Sequence, residues 1–427
     1  MTPFLVWYGH APAGAPQRVV SGLALVRRAV LAAQAAGFSR IVVAVRETDL
    51  VQVRAGLTGD KRIRVDVSIV EVPARPSVAL EHVLPAAGGE VVVALGDRVW
   101  VPAVLKELLP PLADGRDVRV LCEDEDPHPD EEPPSLARVR AAQLDALPLG
   151  RGPAIGDAAK ALGGSERVER RVVGRPWRPV RVPADVHDAE TLLLRALTKP
   201  ADGFIARNIN RKISATLSRR LARHPVTPNS VSAVVLLIGL CSGPFSWQGG
   251  WLWMALGGLC YYVSSVLDGC DGELARLKYL SSPVGIWVDT IVDDVVGLSF
   301  LTGLYHGLDQ GWGHPYWGWI GIVVVACYVL MVLPRYWLFV ARIGVGDHQK
   351  LAAETRPTEV HGFAKLFLTL KENVFRIDFL TFAAMATSVA GVPFVFAAVY
   401  APGSVGAFVD TLFVLWRYRR KPAPSRA

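Results

Sequence analysis

Four aspartates stand at regular spacing in a stretch of sequence that is otherwise hydrophobic. Asp268 and Asp271 are three positions apart, and Asp289 and Asp293 are four positions apart. In α-helices, both spacings place the two side chains on one face. The pattern therefore predicts two helices that carry two carboxylates each.

A helix boundary is expected between the two pairs of acids. Ser282-Pro283 is typical of an N-cap residue followed by proline at the first helical position. One helix should then end near Lys278 and the next should start near Pro283. Two helices that meet across such a short turn can direct all four acids into one pocket.

Four carboxylates in a region of low dielectric constant need a partner for their charge. Each one costs about 2.5–3.5 kcal/mol at the centre of a membrane helix. Hard divalent cations prefer carboxylate oxygens, and Mg²⁺ is usually held by a few carboxylates together with substrate phosphates. The acids therefore indicate a metal site.

The residues between the acids indicate what the metal site binds. Gly272 and Gly285 leave room for a ligand to approach the backbone, and Ala275 keeps the same helix face shallow. Arg276 can hold a phosphate group. The sequence thus predicts a metal-bound phosphate or pyrophosphate at a membrane surface.

This spacing resembles the signature D-x2-D-G-x2-A-R-x8-G-x3-D-x3-D of the CDP-alcohol phosphotransferase (CDP-alcohol phosphatidyltransferase) family, and every fixed position is matched over residues 268–293. The resemblance implies a membrane enzyme that moves the phosphoalcohol group of a CDP-alcohol to an acceptor hydroxyl and releases CMP. Inositol phosphate, glycerol phosphate and lipid alcohols are all acceptors consistent with it. It also implies a homodimer.

The same resemblance implies roles for the matched residues. Two Mg²⁺ or Mn²⁺ ions are expected, with Asp268, Asp271 and Asp289 as ligands. Asp293 is expected to be a further ligand or the general base that accepts the proton of the acceptor hydroxyl. The residues implied to form the CDP-binding wall are Gly272, Ala275, Arg276 and Gly285.

Composition divides the chain into a soluble half and a membrane half. The chain has 427 residues, 51% of them hydrophobic, yet its first 200 residues are typical of soluble sequence. The net charge of +7 is better explained by basic flanks of membrane helices than by nucleic-acid binding. The five cysteines form no CxxC pair, so neither a disulfide framework nor a zinc site is expected.

The second half is expected to form an all-α domain of six transmembrane helices, because each apolar stretch is long enough for a bilayer about 30 Å thick. Basic residues flank these stretches on one side only, so the N-terminal domain, the active site and the C-terminus are placed in the cytoplasm, beneath the inner or cell membrane. The stretches lie near 228–246, 250–270, 283–305, 315–340, 376–396 and 402–418.

The first half alternates apolar strand-like runs with helical patterns, which is typical of an α/β domain with helices on both faces of a parallel sheet. Strands are expected at 4–9, 40–45, 63–71, 90–95 and 118–122, and helices near 20–36, 48–56, 76–86 and 101–113. The predicted domains are an α/β domain over 1–188, a linker and juxtamembrane helix over 189–227, and the membrane domain over 228–420.

The N-terminal domain resembles sugar-nucleotide and cytidylyl nucleotidyltransferases over Val20–Val45 and Val91–Trp100, where Asp97 would be the metal-binding aspartate. Trp7–Arg18 departs from that family, because alanines and prolines replace the spaced glycines of its phosphate-binding loop. We therefore expect a degenerate domain with a structural or regulatory role. A second interpretation makes Asp97 the N-cap of a helix that begins near Val101.

A basic amphipathic helix is predicted over Asp202–Asn229. Apolar residues recur every fourth position, with arginines and a lysine between them, as in helices that lie in the headgroup layer of a membrane. An ordinary linker helix is the alternative. This stretch is similar to the juxtamembrane helix of family members fused to a cytidylyltransferase domain, the bifunctional inositol-1-phosphate cytidylyltransferase/di-myo-inositol-phosphate phosphate synthase type.

Two other classes of function remain open from the residues alone. Intramembrane acids also serve as relays in ion or solute transporters, although a relay does not need the Gly, Ala and Arg positions. An inactive, nucleotide-sensing membrane scaffold is the second alternative. The loop 341–375, with Arg335 and Arg376 at neighbouring helix ends, either binds an acceptor phosphate or forms a basic cytoplasmic flank.

Overall fold

The structure, a computed structural model, describes residues 2–81, 89–122, 136–146, 167–174, 177–197, 203–312, 316–340 and 376–419. The chain folds into two compact units. The first comprises Met1–Leu197 together with Leu277–Tyr279, and the second comprises Thr198–Arg276 together with Leu280–Ala427.

The N-terminal unit is an α/β domain built on a seven-stranded sheet of order β10-β8-β9-β6-β1-β4-β5. Four of its strands pair in parallel in the order β6-β1-β4-β5, and β8 pairs in parallel with β10. The strands of this sheet are β1 Phe4–Trp7, β4 Arg40–Val45, β5 Asp66–Glu71, β6 Glu90–Leu95, β8 Val118–Cys122, β9 Leu136–Arg140 and β10 Val168–Val172. Four short strands pair outside it: β2 Val19–Val20, β3 Leu23–Ala24, β7 Arg98–Trp100 and β11 Trp177–Pro179.

The central strands are buried on both faces, which explains their continuous apolar sequence. Two hydrophobic clusters lie on opposite sides of the sheet, because alternate residues of β1 and β4 contribute to different clusters. Helices α1 Leu25–Ala36 and α2 Glu47–Leu57 contribute to the first cluster, with α3 Pro102–Leu105. Among the described residues, the second cluster is completed by the 3-10 turns Pro76–Leu80 and Ala141–Ala146.

Two strands that the sequence did not predict complete the sheet. β9 lies antiparallel between β6 and β8, and β10 extends the sheet beyond β8. β9 has the sequence LARVR, in which Arg138 is buried and forms an ion pair with Glu90. This charged residue interrupts the apolar pattern by which the sequence would have predicted the strand. Residues 123–135, between β8 and β9, lie outside the described residues.

The second unit is all-helical. A π-helical turn at Ala206–Asn210 leads into α5 Arg211–Ala222, while α4 Asp185–Ala196 ends the first unit. The long helices that follow are α6 Pro228–Trp247, α7 Trp251–Leu277, α8 Pro283–Gly311, α9 Tyr316–Leu338, α10 Ile377–Val389 and α11 Pro393–Arg419.

The predicted start of α8 is confirmed in detail. The side chain of Ser282 accepts a hydrogen bond of 3.0 Å from the backbone N–H of Gly285, and Pro283 is the first helical residue. Helix α7 ends at Leu277, close to the expected Lys278. The loop between α7 and α8 is therefore short enough to hold two acidic helix faces together.

Glycines allow α6 and α8 to pack backbone against backbone. A Cβ on Gly243 would lie 2.5 Å from the carbonyl oxygen of Ser299, and one on Gly303 would lie 2.7 Å from the carbonyl carbon of Gly243. Gly249, in a left-handed conformation with φ of 78°, turns the chain at the same end. Small residues at such spacing are typical of helices that associate within membranes.

Three described helices are long and apolar enough to cross a membrane, judged by length and composition alone: Pro228–Trp247, Tyr316–Leu338 and Pro393–Trp416. The boundary between the last two predicted membrane stretches, 376–396 and 402–418, differs from our expectation. The break lies at 390–392, where Gly391 is left-handed, and Pro402 remains inside α11 instead of separating two helices. Helix α10 accordingly has 13 residues.

Candidate active site

Three of the four predicted acids form one compact group. Ligand oxygens of Asp268, Asp271 and Asp289 all lie within 4.8 Å of one another, with the first two on α7 and the third on α8. Asp293 lies one turn further along α8, outside this group of three, but it lines the adjoining cavity. The two helices thus bring the acidic faces together as their spacing predicted.

The surroundings of two of these carboxylates are suited to a cation. The hydroxyl of Ser232 donates a short hydrogen bond to Oδ2 of Asp271, which is 5% exposed. Oδ1 of Asp268 is buried and has no hydrogen-bond partner among the described residues. Because buried carboxylate oxygens are normally paired, this arrangement of oxygen donors fits a hard divalent ion such as Mg²⁺ or Mn²⁺.

A cavity of about 980 Å³ opens beside the acids. Residues of α6 to α11 line it, among them Asp271, Asp289 and Asp293. Such a volume lies within the upper range of cofactor and ligand sites, which is about 300–1,000 Å³. The cavity can therefore accommodate a ligand the size of a nucleotide ester beside the acidic group.

The predicted wall residues lie where the motif placed them. Gly272, Ala275, Arg276 and Gly285 all line the cavity. The guanidinium of Arg276 turns back over Gly272, where a Cβ would lie 3.2 Å from Nη1 of the arginine. Nε of Arg276 is buried without a hydrogen-bond partner among the described residues, so the side chain can still bind an anion.

Asp294 is held by groups from α9. Its carboxylate accepts hydrogen bonds from the hydroxyls of Tyr328 and Tyr336, each 2.9 Å long, and from Nη2 of Arg335 at 3.1 Å. Arg335, which the sequence suggested for an acceptor phosphate, also lines the cavity. The predicted partner loop 341–375 lies outside the described residues.

Sequence reasoning missed two acids of this region. Glu273 stands at a variable position of the motif and is 2% exposed, in contact with Arg211 of α5. Asp410 lines the cavity from α11, and a lone acid in an apolar stretch is a signal that could have identified it. Ser232 gave no such signal, because a serine in a membrane helix is common.

The predicted metal ligand of the N-terminal unit, Asp97, is paired with side chains of the protein. Asp97 is 1% exposed, and its carboxylate lies 3.1 Å from Nε2 of His10, 3.2 Å from Nε of Arg98 and 2.9 Å from Nε of Arg181. Burial raises the pKa of Asp97, but His10, Arg98 and Arg181 more than offset this and hold the pKa well below its usual range. The alternative role of Asp97 as an N-cap is wrong, because Val101 occupies the N-cap position of α3.

The loop after β1 does not form a phosphate cradle. The N–H groups of Ala11, Ala15 and Gln17 donate to carbonyls of the same loop, and the N–H of Gly14 donates to the carboxylate of Asp49 at 3.0 Å. Phosphate-binding loops leave several N–H groups directed at the ligand. These described amides are already paired within the unit.

Comparison with known proteins identifies the class of the helical unit. Residues 226–401 match the family model described as CDP-alcohol phosphatidyltransferase. The match confirms the resemblance found in the motif. Asp410 lies beyond the matched segment.

Curated relatives share part of the chain. The bifunctional IPC transferase and DIPP synthase of Aquifex aeolicus (strain VF5) is 36% identical over 147 residues, which are 34% of this chain and 33% of that protein. The proteins of the same name from Thermococcus kodakarensis and Archaeoglobus fulgidus are 34% and 40% identical, over 38% and 30% of this chain and 37% and 26% of their own lengths. The matched stretches thus span only about a third of these relatives.

One solved structure also aligns with the chain. A putative glucose-1-phosphate thymidylyltransferase from Bacillus anthracis, in complex with a sucrose, covers 45% of this chain and 94% of its own chain. The sequence identity is 13% and the TM-score is 0.34. A likeness this weak supports no conclusion, and the nucleotidyltransferase ancestry of the N-terminal unit stays a prediction.

Proposed function

We propose that this protein is an integral membrane transferase that moves the phosphoalcohol group of a CDP-alcohol to an acceptor hydroxyl and releases CMP. The observation that carries the proposal is the group of Asp268, Asp271 and Asp289 beside a cavity of about 980 Å³, within a segment that matches the family. A transporter relay would explain the acids but not the arginine and small residues beside them.

The reaction requires one bond to form and one to break. The acceptor oxygen attacks the phosphorus that carries the alcohol, and the bond from that phosphorus to the oxygen of the CMP leaving group breaks. Asp293, which lines the cavity, would take the proton of the acceptor hydroxyl as general base. Two Mg²⁺ or Mn²⁺ ions held by Asp268, Asp271 and Asp289 would neutralise the charge that develops on the departing CMP.

The wall beside the acids is proposed to bind the donor. Arg276 would hold a phosphate of the CDP group, since a guanidinium matches the geometry of phosphate oxygens. Gly272, Ala275 and Gly285 keep the wall shallow, so the nucleotide can lie against the backbone of both helices.

The acceptor is proposed from the relatives rather than from the cavity. Their name includes a DIPP synthase, which favours an inositol phosphate over glycerol phosphate or a lipid alcohol. The cavity offers Arg335, which could contact such a phosphate. A matrix of CDP-alcohols and acceptors, scored by CMP release, would identify both substrates.

We propose six membrane spans, with the N-terminal unit, the active site and the C-terminus on the cytoplasmic side and two copies forming a homodimer. Three of the described helices are long and apolar enough to cross a membrane, which supports this proposal. Helices α7 and α8, of 27 and 29 residues, are also long enough to cross a bilayer, although they carry the acids. Of the six proposed spans, α10 is the shortest, with 13 residues.

The N-terminal unit is proposed to lack cytidylyltransferase activity. The carboxylate of Asp97 is paired with His10, Arg98 and Arg181, and the described amides after β1 are paired within the unit. A unit of this kind would have a structural or regulatory role. Turnover of CTP by the purified protein would contradict this part of the proposal.

The proposed reaction is tested with the purified full-length protein, a CDP-alcohol, an acceptor and Mg²⁺. Asp293→Asn should lower the rate of CMP release by about 10²–10⁴-fold, which is the usual contribution of a general base. Asp268→Ala should reduce it at least as strongly. The matched control is Asp309→Asn, at the far end of α8, where the carboxylate accepts a hydrogen bond from the N–H of Gly318 at 2.9 Å. Undiminished CMP release in the Asp293 and Asp268 variants would refute these roles.

A further inference from the structure

Helix α5 binds the catalytic helix α7 through its small polar face. Asn210, Ser214, Ser218 and Ala222 are buried at fourfold spacing, whereas Ile213 of the apolar face is 49% exposed. The hydroxyl of Tyr262 on α7 donates to the amide oxygen of Asn210 at 2.8 Å. The small polar face of this segment therefore packs on α7.

The centre of this contact is an ion pair between the half-buried Arg211 and the buried Glu273. Nη1 of Arg211 lies 2.8 Å from Oε1 of Glu273, and the hydroxyl of Ser214 donates to the same oxygen at 2.9 Å. Glu273 has a side chain only 3% exposed, and its second oxygen is buried without a hydrogen-bond partner among the described residues. A carboxylate in this position needs a cation.

A second cation stands close to Glu273. Arg276 follows it by three residues on α7, a spacing at which oppositely charged side chains pair on a helix surface. The charges of Arg211, Glu273, Asp271 and Asp289 all act on Arg276. Arg276 instead turns over Gly272 and lines the cavity.

We propose that Arg211 is a positioning residue for the donor site: by neutralising Glu273, it leaves Arg276 directed at the cavity, where it binds the diphosphate of the donor. This inference rests on the proposed function. Without Arg211, Glu273 pairs with Arg276 on the same helix and withdraws its guanidinium from the ligand. Arg211 itself touches no substrate in this arrangement.

The inference is tested by calorimetric binding of CDP, with Mg²⁺ present, to the full-length protein. Arg211→Gln raises the Kd for CDP about tenfold, comparable with the loss of one charge-assisted hydrogen bond. The double variant Arg211→Gln/Glu273→Gln returns to within about threefold of the wild-type Kd, because no carboxylate competes for Arg276. Arg220→Gln, which removes an exposed charge from the same helix, is the matched control and leaves the Kd unchanged.

A second measurement, the affinity of the same variants for Mn²⁺, shows whether Arg211 acts on Arg276 or only holds α7 in place. Displacement of α7 would weaken Mn²⁺ binding in Arg211→Gln, whereas loss of Arg276 alone leaves it unchanged. The inference is overturned if Arg211→Gln binds CDP as the wild type does, if the double variant stays as weak as the single one, or if Mn²⁺ and CDP affinities fall together. A wild-type protein that binds no CDP would instead contradict the proposed function.

Discussion

Asp268, Asp271 and Asp289 repel one another unless a cation lies between them. Their oxygens are within 4.8 Å of one another, and the hydroxyl of Ser232 donates to Asp271. Like charges at such distances favour either protonation or a bound divalent ion. The adjoining cavity and the buried, unpartnered oxygen of Asp268 favour the ion.

Asp97 supplies the contrasting case, an acid whose charge is satisfied by protein. Since its pKa is lowered in the folded state, its stabilising contribution is complete above the unfolded pKa of about 3.9 and is lost as the pH falls toward the folded value. We predict that strands β1 and β6 lose protection below about pH 4. Hydrogen exchange of the full-length protein, followed by mass spectrometry, measures this loss.

The variant Asp97→Asn should remove that pH dependence and destabilise the N-terminal unit by about 3 kcal/mol at neutral pH, because Arg98 remains buried without its anion. Asp114→Asn, at an exposed position, is the control and should exchange like the wild type at each pH. If β1 and β6 are equally protected from hydrogen exchange at each pH in the wild type and in both variants, the ion pairs of Asp97 do not stabilise the sheet.

Single residues differ in how far the sequence predicts them. The motif acids and their wall could be placed because fixed spacings on helices determine which side chains share a face. Glu273 could not be placed, because its role depends on Arg211, 62 positions away in the chain. The neighbours of Asp97 could not be placed for a similar reason, since His10 and Arg181 reach it only after folding.

At the scale of elements, the acidic helices are held in register by their neighbours. Helix α6 packs on α8 through glycines, and its Ser232 contacts Asp271 on α7. We predict that Gly243→Ala destabilises the helical unit by about 1–3 kcal/mol, because the new Cβ would lie 2.5 Å from the carbonyl oxygen of Ser299. Thermal unfolding of the full-length protein in detergent measures the change.

The matched control is Gly250→Ala, in the loop between α6 and α7. There the nearest heavy atom to the new Cβ is 3.7 Å away, on Trp253. Its unfolding temperature should equal that of the wild type within error. If both alanine variants unfold together with the wild type, close contact between α6 and α8 does not stabilise the unit.

Element boundaries were predictable where local chemistry fixes them. Ser282-Pro283 began a helix and Gly37, with φ of 113°, ended α1, as the sequence indicated. The expected break between 396 and 402 was wrong, because α11 continues through it with Pro402 inside the helix. A proline is tolerated in an apolar helix when neighbouring groups satisfy the freed carbonyl. Strand β9 was missed because its pairing is with distant strands β6 and β8.

For the whole molecule, the proposed arrangement places the α6–α7 and α7–α8 connections on opposite sides of the membrane. In a cysteine-free background, Ser281→Cys should react with a membrane-impermeant maleimide only from the cytoplasmic side. Gln248→Cys should react only from the other side; both positions are exposed. Labelling of sealed vesicles of known orientation measures this, and reaction of both cysteines from one side would exclude a membrane span between them.

The central claim is that the acids of α7 and α8 hold a divalent ion beside the cavity. Electron paramagnetic resonance titration of the full-length protein with Mn²⁺, with and without CMP, tests it without requiring the substrates. We predict that Asp268→Asn, Asp271→Asn and Asp289→Asn each weaken Mn²⁺ binding about tenfold or more, while Asp309→Asn binds as the wild type does. Mn²⁺ binding that is unchanged in all three variants would contradict the account.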